Sequence, residues 1–150
     1  MIRTTGVIAS LVISAAALTG CGGVDDQDIE FASLSDVKSL RESLAKDPKA
    51  GLIIDARAAK YYAAEHIPGA TNYQLPDFDD KATQRPSIEA YDELIVYGNN
   101  PGSPEAKGLT KRLMHIGYSG VLMFAGGLEE WKDAGMPIEK GRDSLPAPER

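Results

Sequence analysis

The segment 98–103 follows an apolar run and precedes a stretch with helical periodicity. Loops between a buried strand and a helix N-terminus gather backbone N–H groups, and α/β enzymes commonly bind anions or carry nucleophiles there. Between Gly98 and Ala106, however, the sequence contains no Cys, His, Lys or Arg. This 98–103 loop therefore has the position of an active loop and lacks a reactive group. Its residues are Gly98, Asn99, Asn100, Pro101, Gly102 and Ser103.

The residues that follow the loop are typical of a helix start. Ser103 is a preferred N-cap residue, Pro104 suits the first helical position, and Glu105 is favourable beside the positive end of the helix dipole. A serine nucleophile would need an adjacent base, and no histidine can be placed beside Ser103 from the sequence. Pro104 also lacks an N–H group, and the Glu105 carboxylate repels an anion. We therefore predict an N-cap role for Ser103.

A second pair of charged residues, Asp55 and Arg57, follows another apolar run. Two interpretations stay open: a fixed ion pair that supports the fold, or a pocket border at which Arg57 meets an anion. His66 is expected to support a turn, and His115 to lie at a helix C-terminus, where a cation is favourable. Two histidines and one cysteine are too few for a zinc site, so we predict no metal and no cofactor.

The elements around these residues predict an α/β fold. Continuous apolar runs at 52–54, 94–97 and 121–125 are typical of parallel strands covered on both faces. Segments with helical periodicity lie between them, at 58–65, from residue 104 onward, and at 128–134. A capping-box pattern begins another helix at Ser33. We expect residues 76–93 to form a polar, exposed connection.

The N-terminus indicates an envelope lipoprotein. Arg3 precedes an apolar stretch of signal-peptide length, and Leu18-Thr19-Gly20-Cys21 resembles the bacterial lipobox, in which the cysteine is lipidated. We predict a signal peptide at 1–20, a tether at 21–28, a domain at 29–140 and a disordered tail at 141–150. The expected location is the periplasmic side of the envelope, anchored in the outer membrane. The net charge of −6 argues against nucleic acid as a partner.

Three segments together resemble the rhodanese domain, and the resemblance covers roughly residues 29–140. It implies a three-layer α/β/α fold with a five-stranded parallel sheet. The matching motifs are Asp-x-Arg at Asp55 and Arg57, the turn from His66 to Ala70, Gly117-Tyr118, Gly126-Gly127 with Trp131, and Ala134-Gly135 with Pro137.

The departure from the family lies in the 98–103 loop. Active rhodaneses place a persulfide-forming cysteine directly after the strand, where this chain has Gly98. Some envelope rhodaneses have a second cysteine, at the position of Ser103. We expect Gly98 to adopt positive φ, which would strain a cysteine there. The resemblance therefore implies a catalytically inactive domain that binds an envelope protein or a small anionic ligand. The alternative is a sulfurtransferase-family enzyme that uses other groups or another substrate.

Overall fold

The computed structural model describes residues 23–79, 88 and 90–141. The predicted signal peptide, the predicted lipidation site Cys21 and the predicted tail after Gly141 lie outside these residues. No helix in the described part of the chain is long and apolar enough to cross a membrane.

Five parallel strands form the central sheet, in the order β1-β5-β4-β2-β3. Alternate residues along the strands enter two separate cores: Ile54 and Val96 face one layer, whereas Ile53 and Tyr97 face the other. Burial on both faces explains why the central strands appear in the sequence as unbroken apolar runs. The predicted five-stranded parallel sheet is confirmed. The strands are β1 Glu30–Phe31, β2 Leu52–Asp55, β3 Thr71–Asn72, β4 Leu94–Tyr97 and β5 Val121–Phe124.

Helices cover both faces of the sheet. The helix α3 (Pro104–His115) packs on one face through Leu109 and Leu113. On the other face lie α1 (Leu34–Leu44), α2 (Ala59–Ala64) and α4 (Gly127–Asp133). Trp131 of α4 is fully buried there. The three-layer α/β/α prediction is therefore confirmed.

The helix α1 begins at the predicted capping box. The backbone N–H of Ser33 donates to Oδ2 of Asp36 at 2.7 Å, and the N–H of Asp36 donates to Oγ of Ser33 at 3.3 Å. The first bond satisfies the N–H of Ser33, and the second supplements the bond from the N–H of Asp36 to the carbonyl oxygen of Ser33 at 3.1 Å. Local sequence was sufficient to locate this helix end.

Two segments that were predicted to be irregular contain short turns. In the segment 21–28, predicted as a tether, a 3-10 turn lies at Asp26–Asp28. Asp26 accepts hydrogen bonds from Nζ of Lys107 at 2.9 Å and from Nζ of Lys111 at 3.0 Å, so the turn is attached to α3. A single acidic residue in a polar stretch gives no sign of partners that lie eighty residues away along the chain.

The connection 76–93 was predicted to be exposed, but two of its described residues, Phe78 and Ile88, are buried. A 3-10 turn spans Leu75–Phe78, and Phe78 is fully buried against the α3 side of the sheet. Ile88 is also buried in the same core. Two isolated apolar residues in a polar segment have no periodicity, so their burial could not be predicted from pattern alone.

Candidate functional site

The predicted site residues meet at the carboxyl edge of the sheet. Asp55 and Tyr97 are paired in register at the ends of β2 and β4, and Phe124 pairs with Tyr97 at the end of β5. The residues that follow these strands therefore leave the sheet at one edge, where ligands bind in open α/β sheets. Arg57 and the 98–103 loop are placed there together.

The side chain of Ser103 occupies the interior of the 98–103 loop. Its Oγ accepts hydrogen bonds from the backbone N–H of Asn99 at 2.7 Å and of Asn100 at 3.0 Å. Ser103 is the N-cap of α3, as predicted, but its side chain makes no capping bond to the helix. The predicted position at the start of the helix is therefore confirmed, but the capping hydrogen bond is absent, because the hydroxyl accepts from the loop instead. The loop's inward N–H groups thus have an internal acceptor.

Gly98 lies directly against this serine. A Cβ built at Gly98 would lie 2.6 Å from Oγ of Ser103, closer still to its Cβ, and 3.2 Å from Cβ of Ala106. Gly98 does not have a positive φ, so the expectation that backbone conformation would exclude a cysteine there is wrong. The obstacle to a larger residue is steric, since Ser103 fills the space that a side chain would need.

The start of α4 is hydrogen-bonded to the 98–103 loop. The N–H groups of Leu128 and Glu129 donate to the carbonyl oxygens of Gly98 at 3.0 Å and Asn99 at 2.9 Å. Gly127, at φ +62°, allows this approach, because a Cβ there would lie 2.6 Å from the Gly98 oxygen. The N–H groups of α4 are therefore used to support the loop.

Asp55, Arg57 and Tyr97 form a buried network beside the loop. Nη2 of Arg57 donates to Oδ2 of Asp55 at 2.7 Å, and Nε donates to Oδ1 at 3.0 Å. The Tyr97 hydroxyl donates to Oδ2 of Asp55 at 2.7 Å and accepts from the N–H of Ile67 at 3.1 Å. Burial, and then the neighbouring carboxylate, raise the pKa of Tyr97 well above its ordinary value. Tyr97 therefore remains a neutral donor.

Further bonds show that this network also has a structural role. Nη2 of Arg57 donates to the carbonyl of Glu65 at 2.7 Å. The side-chain amide of Asn72 donates to the carbonyls of Asp55 at 2.9 Å and Arg57 at 2.8 Å. The geometry agrees with the ion-pair interpretation of Asp55 and Arg57. Tyr97 and Asn72 were missed, because their sequence positions look like ordinary strand residues.

Neither histidine contacts Ser103. Nδ1 of His66 lies 2.8 Å from the carbonyl oxygen of Tyr62. The imidazole also stacks on the Tyr62 ring, with 3.9 Å between the two ring centres. Its Nε2 lies 3.7 Å from Oε2 of Glu139. His115 ends α3, the opposite end from the loop. The described residues contain no group of three His, Cys, Asp or Glu side chains that could hold a metal ion.

An open cleft of about 690 Å³ lies in front of the network and the loop. Its volume is within the range of ligand pockets. Tyr61 is 53% exposed and Leu75 is 45% exposed, although both are large and apolar. The cleft residues that matter for its chemistry are Arg57, Tyr61, Leu75, Pro76, Asn99 and Glu105. The sequence did not predict that Tyr61 and Leu75 line a cleft. The only signal was that Tyr61 is an aromatic residue next to Tyr62, the buried residue of α2.

Comparison with known proteins identifies the family. The family model for rhodanese, described as the rhodanese-like domain, matches residues 36–134. The chain belongs to the rhodanese-like domain family. The match contains the Asp55–Arg57 pair, the 98–103 loop and the glycines at the start of α4.

The relatives of this rhodanese-like domain include larger proteins. It is 28% identical over 103 residues to the adenylyltransferase and sulfurtransferase UBA4 of Candida albicans, covering 61% of this chain and 22% of UBA4. It is also 28% identical over 107 residues to the uncharacterized protein slr1261 of Synechocystis, covering 71% of this chain and 56% of that protein. The chain thus spans about a fifth and about half of these two relatives.

Solved structures share the fold. One is a protein of unknown function from Rhodopseudomonas palustris, described as a possible tyrosine phosphatase. It is 25% identical to this rhodanese-like domain, with a TM-score of 0.61, and the alignment covers 75% of this chain and 86% of that one. The likeness supports the arrangement of the sheet and its helices described above.

Proposed function

We propose that this rhodanese-like domain is catalytically inactive and works as a binding module on an envelope lipoprotein. One observation carries the proposal: Oγ of Ser103 accepts hydrogen bonds from the N–H groups of Asn99 and Asn100. The sequence resemblance adds support, because it aligns Gly98 with the persulfide-forming cysteine of active rhodaneses. A persulfide needs a thiolate, and a thiolate needs free donors or cations around it. Here the nucleophile is missing and the serine occupies two donors.

The charges around the loop support the same proposal. The Arg57 guanidinium is paired with Asp55, so its charge is largely compensated. Pro104 contributes no N–H at the start of α3, and Glu105 adds a carboxylate there. Stabilising the anionic transition states of sulfur or phosphoryl transfer requires the opposite arrangement. The cleft is better suited to binding a ligand than to turning one over.

The proposed location rests on the N-terminal sequence. Arg3, the apolar stretch and the lipobox-like Leu18–Cys21 segment support a signal peptide of 20 residues and a lipid on Cys21. An aspartate directly after the lipidated cysteine resembles an inner-membrane retention signal. This chain has Gly22 at that position, and the absence of the aspartate favours the outer membrane. In this arrangement the domain faces the periplasm and binds an envelope protein or a small ligand at the cleft.

Turnover assays test the proposed inactivity. Purified protein should show no thiosulfate:cyanide sulfurtransferase turnover and no hydrolysis of aryl phosphates above a control without enzyme. A working rhodanese, assayed in parallel, shows that the conditions permit turnover. Reproducible turnover that disappears in Ser103→Ala would establish a serine-dependent enzyme and overturn the proposal.

A further inference from the structure

The cleft carries one charged group that has no partner. Glu105 is half-buried at the cleft and forms no hydrogen bond or ion pair within the described residues. Arg57, which lines the same cleft, is compensated by Asp55 at 2.7 Å. The uncompensated charge at the cleft is therefore negative. The chain as a whole has a net charge of −6, so its field also attracts cations.

Arg57 nevertheless leaves one nitrogen available. Its Nε and Nη2 bind Asp55, and Nη2 also binds the carbonyl of Glu65, but Nη1 has no bond among the described residues. No buried side-chain nitrogen or oxygen in that part of the chain lacks a partner, so Nη1 must be accessible. An accessible guanidinium nitrogen at a cleft can donate to a neutral acceptor, such as a peptide carbonyl.

The remaining cleft wall is apolar. Tyr61 and Leu75 are two of the three large hydrophobic residues that are exposed in the described chain, and Pro76 lies beside them. Clustering of exposed apolar side chains at one concave site indicates an interaction surface. Nζ of Lys60 lies 4.8 Å from the centre of the Tyr61 ring, which places one positive charge at the edge of this wall.

We infer that the cleft binds a segment of a partner protein that presents a lysine or arginine flanked by an apolar residue. The inference rests on the proposed binding function. The cation pairs with Glu105, the apolar side chain packs on Tyr61 and Leu75, and a backbone carbonyl of the segment accepts from Nη1 of Arg57. An anion would meet a free carboxylate at Glu105, and it would find the loop donors of Asn99 and Asn100 already bound to Ser103.

Peptide titration tests this inference. Three dye-labelled peptides share the sequence Ala-Leu-x-Leu-Ala, in which x is lysine, norleucine or glutamate, and fluorescence anisotropy measures their Kd. The lysine peptide should bind most tightly and the glutamate peptide most weakly. Glu105→Gln should weaken the lysine peptide about three- to fivefold, as expected for a partly exposed ion pair, and leave the norleucine peptide unchanged. Leu75→Ser should weaken both of these peptides.

A charge-matched control removes the effect of net charge. Glu42→Gln changes the net charge equally at an exposed position of α1. Glu42→Gln should leave the Kd of every peptide within about twofold of its wild-type value. Lys60→Gln, which removes the positive charge beside Tyr61, should not weaken binding of the lysine peptide. If Glu105→Gln fails to fold, the ranking of the three peptides on the wild-type protein decides the question.

The outcomes separate the two proposals. Equal binding of the lysine and glutamate peptides, no measurable binding of the lysine peptide, or competition by thiosulfate or inorganic phosphate would overturn the basic-segment inference. The binding-module proposal would survive a result in which phosphate or thiosulfate binds without turnover. Turnover in the sulfurtransferase or phosphatase assay would instead overturn the proposed inactivity.

Discussion

A Cβ atom on Gly98 would lie only 2.6 Å from Oγ of Ser103. The glycine and the serine are therefore mutually dependent: the space that Gly98 leaves open is filled by the side chain that satisfies the loop. A cysteine introduced at this position would therefore overlap the side chain of Ser103.

Gly98→Ala should destabilise the domain by about 1–3 kcal/mol, because the added methyl group overlaps Ser103. Ser103→Gly removes the overlapping atoms, so the double variant should recover part of this loss. Ser103→Ala removes Oγ but keeps the nearer Cβ, so it should give a smaller recovery. Urea denaturation of the single and double variants measures the coupling energy. Additive losses in the Gly98→Ala/Ser103→Gly pair would show that the two residues do not compete for space.

Gly98→Cys should show little or no sulfurtransferase turnover. The new thiol meets Ser103, which already accepts the N–H groups of Asn99 and Asn100, and losing one such donor can cost about 100-fold in rate. Gly98→Cys combined with Ser103→Gly and Glu105→Ala should be more active than Gly98→Cys alone. The thiosulfate:cyanide assay measures this, with circular dichroism as the folding control. Activity of the single variant equal to that of a working rhodanese would contradict the steric argument.

Tyr97→Phe should lower the free energy of unfolding by about 1–3 kcal/mol. The lost hydroxyl donates to Asp55 at 2.7 Å and accepts from Ile67 at 3.1 Å, and both partners are fully buried. Tyr61→Phe removes a hydroxyl from a side chain that is 53% exposed, so it should change stability by less than about 0.5 kcal/mol. Chemical denaturation compares the two variants. Similar effects would mean that the buried network contributes nothing specific.

The turn at Asp26–Asp28 should respond to acid and to salt. Hydrogen bonds from Lys107 and Lys111 lower the pKa of Asp26 below its ordinary value of 3.8. A depressed carboxyl pKa means that the pairing stabilises the fold above pH 3.8 and is lost as the pH falls through the lowered pKa. Titration of the Asp26 carboxyl carbon by NMR should show this. Lys107→Gln should move the pKa of Asp26 back towards 3.8, whereas Lys38→Gln on α1 should leave it unchanged.

Cys21→Ser should abolish incorporation of labelled palmitate, because the serine offers no thiol for the lipid. The expected result follows from the lipobox-like Leu18–Cys21 segment. Expression of both forms in a bacterial host, followed by immunoprecipitation, measures the label per amount of protein. Equal labelling of the wild type and the variant would end the lipoprotein hypothesis.

The sequence by itself determined the sheet and the position of the loop. Central strands that are covered on both faces must be apolar throughout, so β4 and β2 could be located without tertiary information. The start of α1 could be located for a similar reason, since its capping residues lie three positions apart. In each case a local pattern carries the information.

Tertiary structure alone decided how the loop and the cleft are used. The orientation of Ser103 depends on contact with Gly98, five residues earlier, which no capping preference describes. The cleft joins Tyr61 of α2, Leu75 of a 3-10 turn and Glu105 of α3. These residues are far apart in the chain, so their proximity depends on sheet order and on how each segment packs. Side-chain direction and long-range proximity result from folding, and a periodic sequence pattern does not encode them.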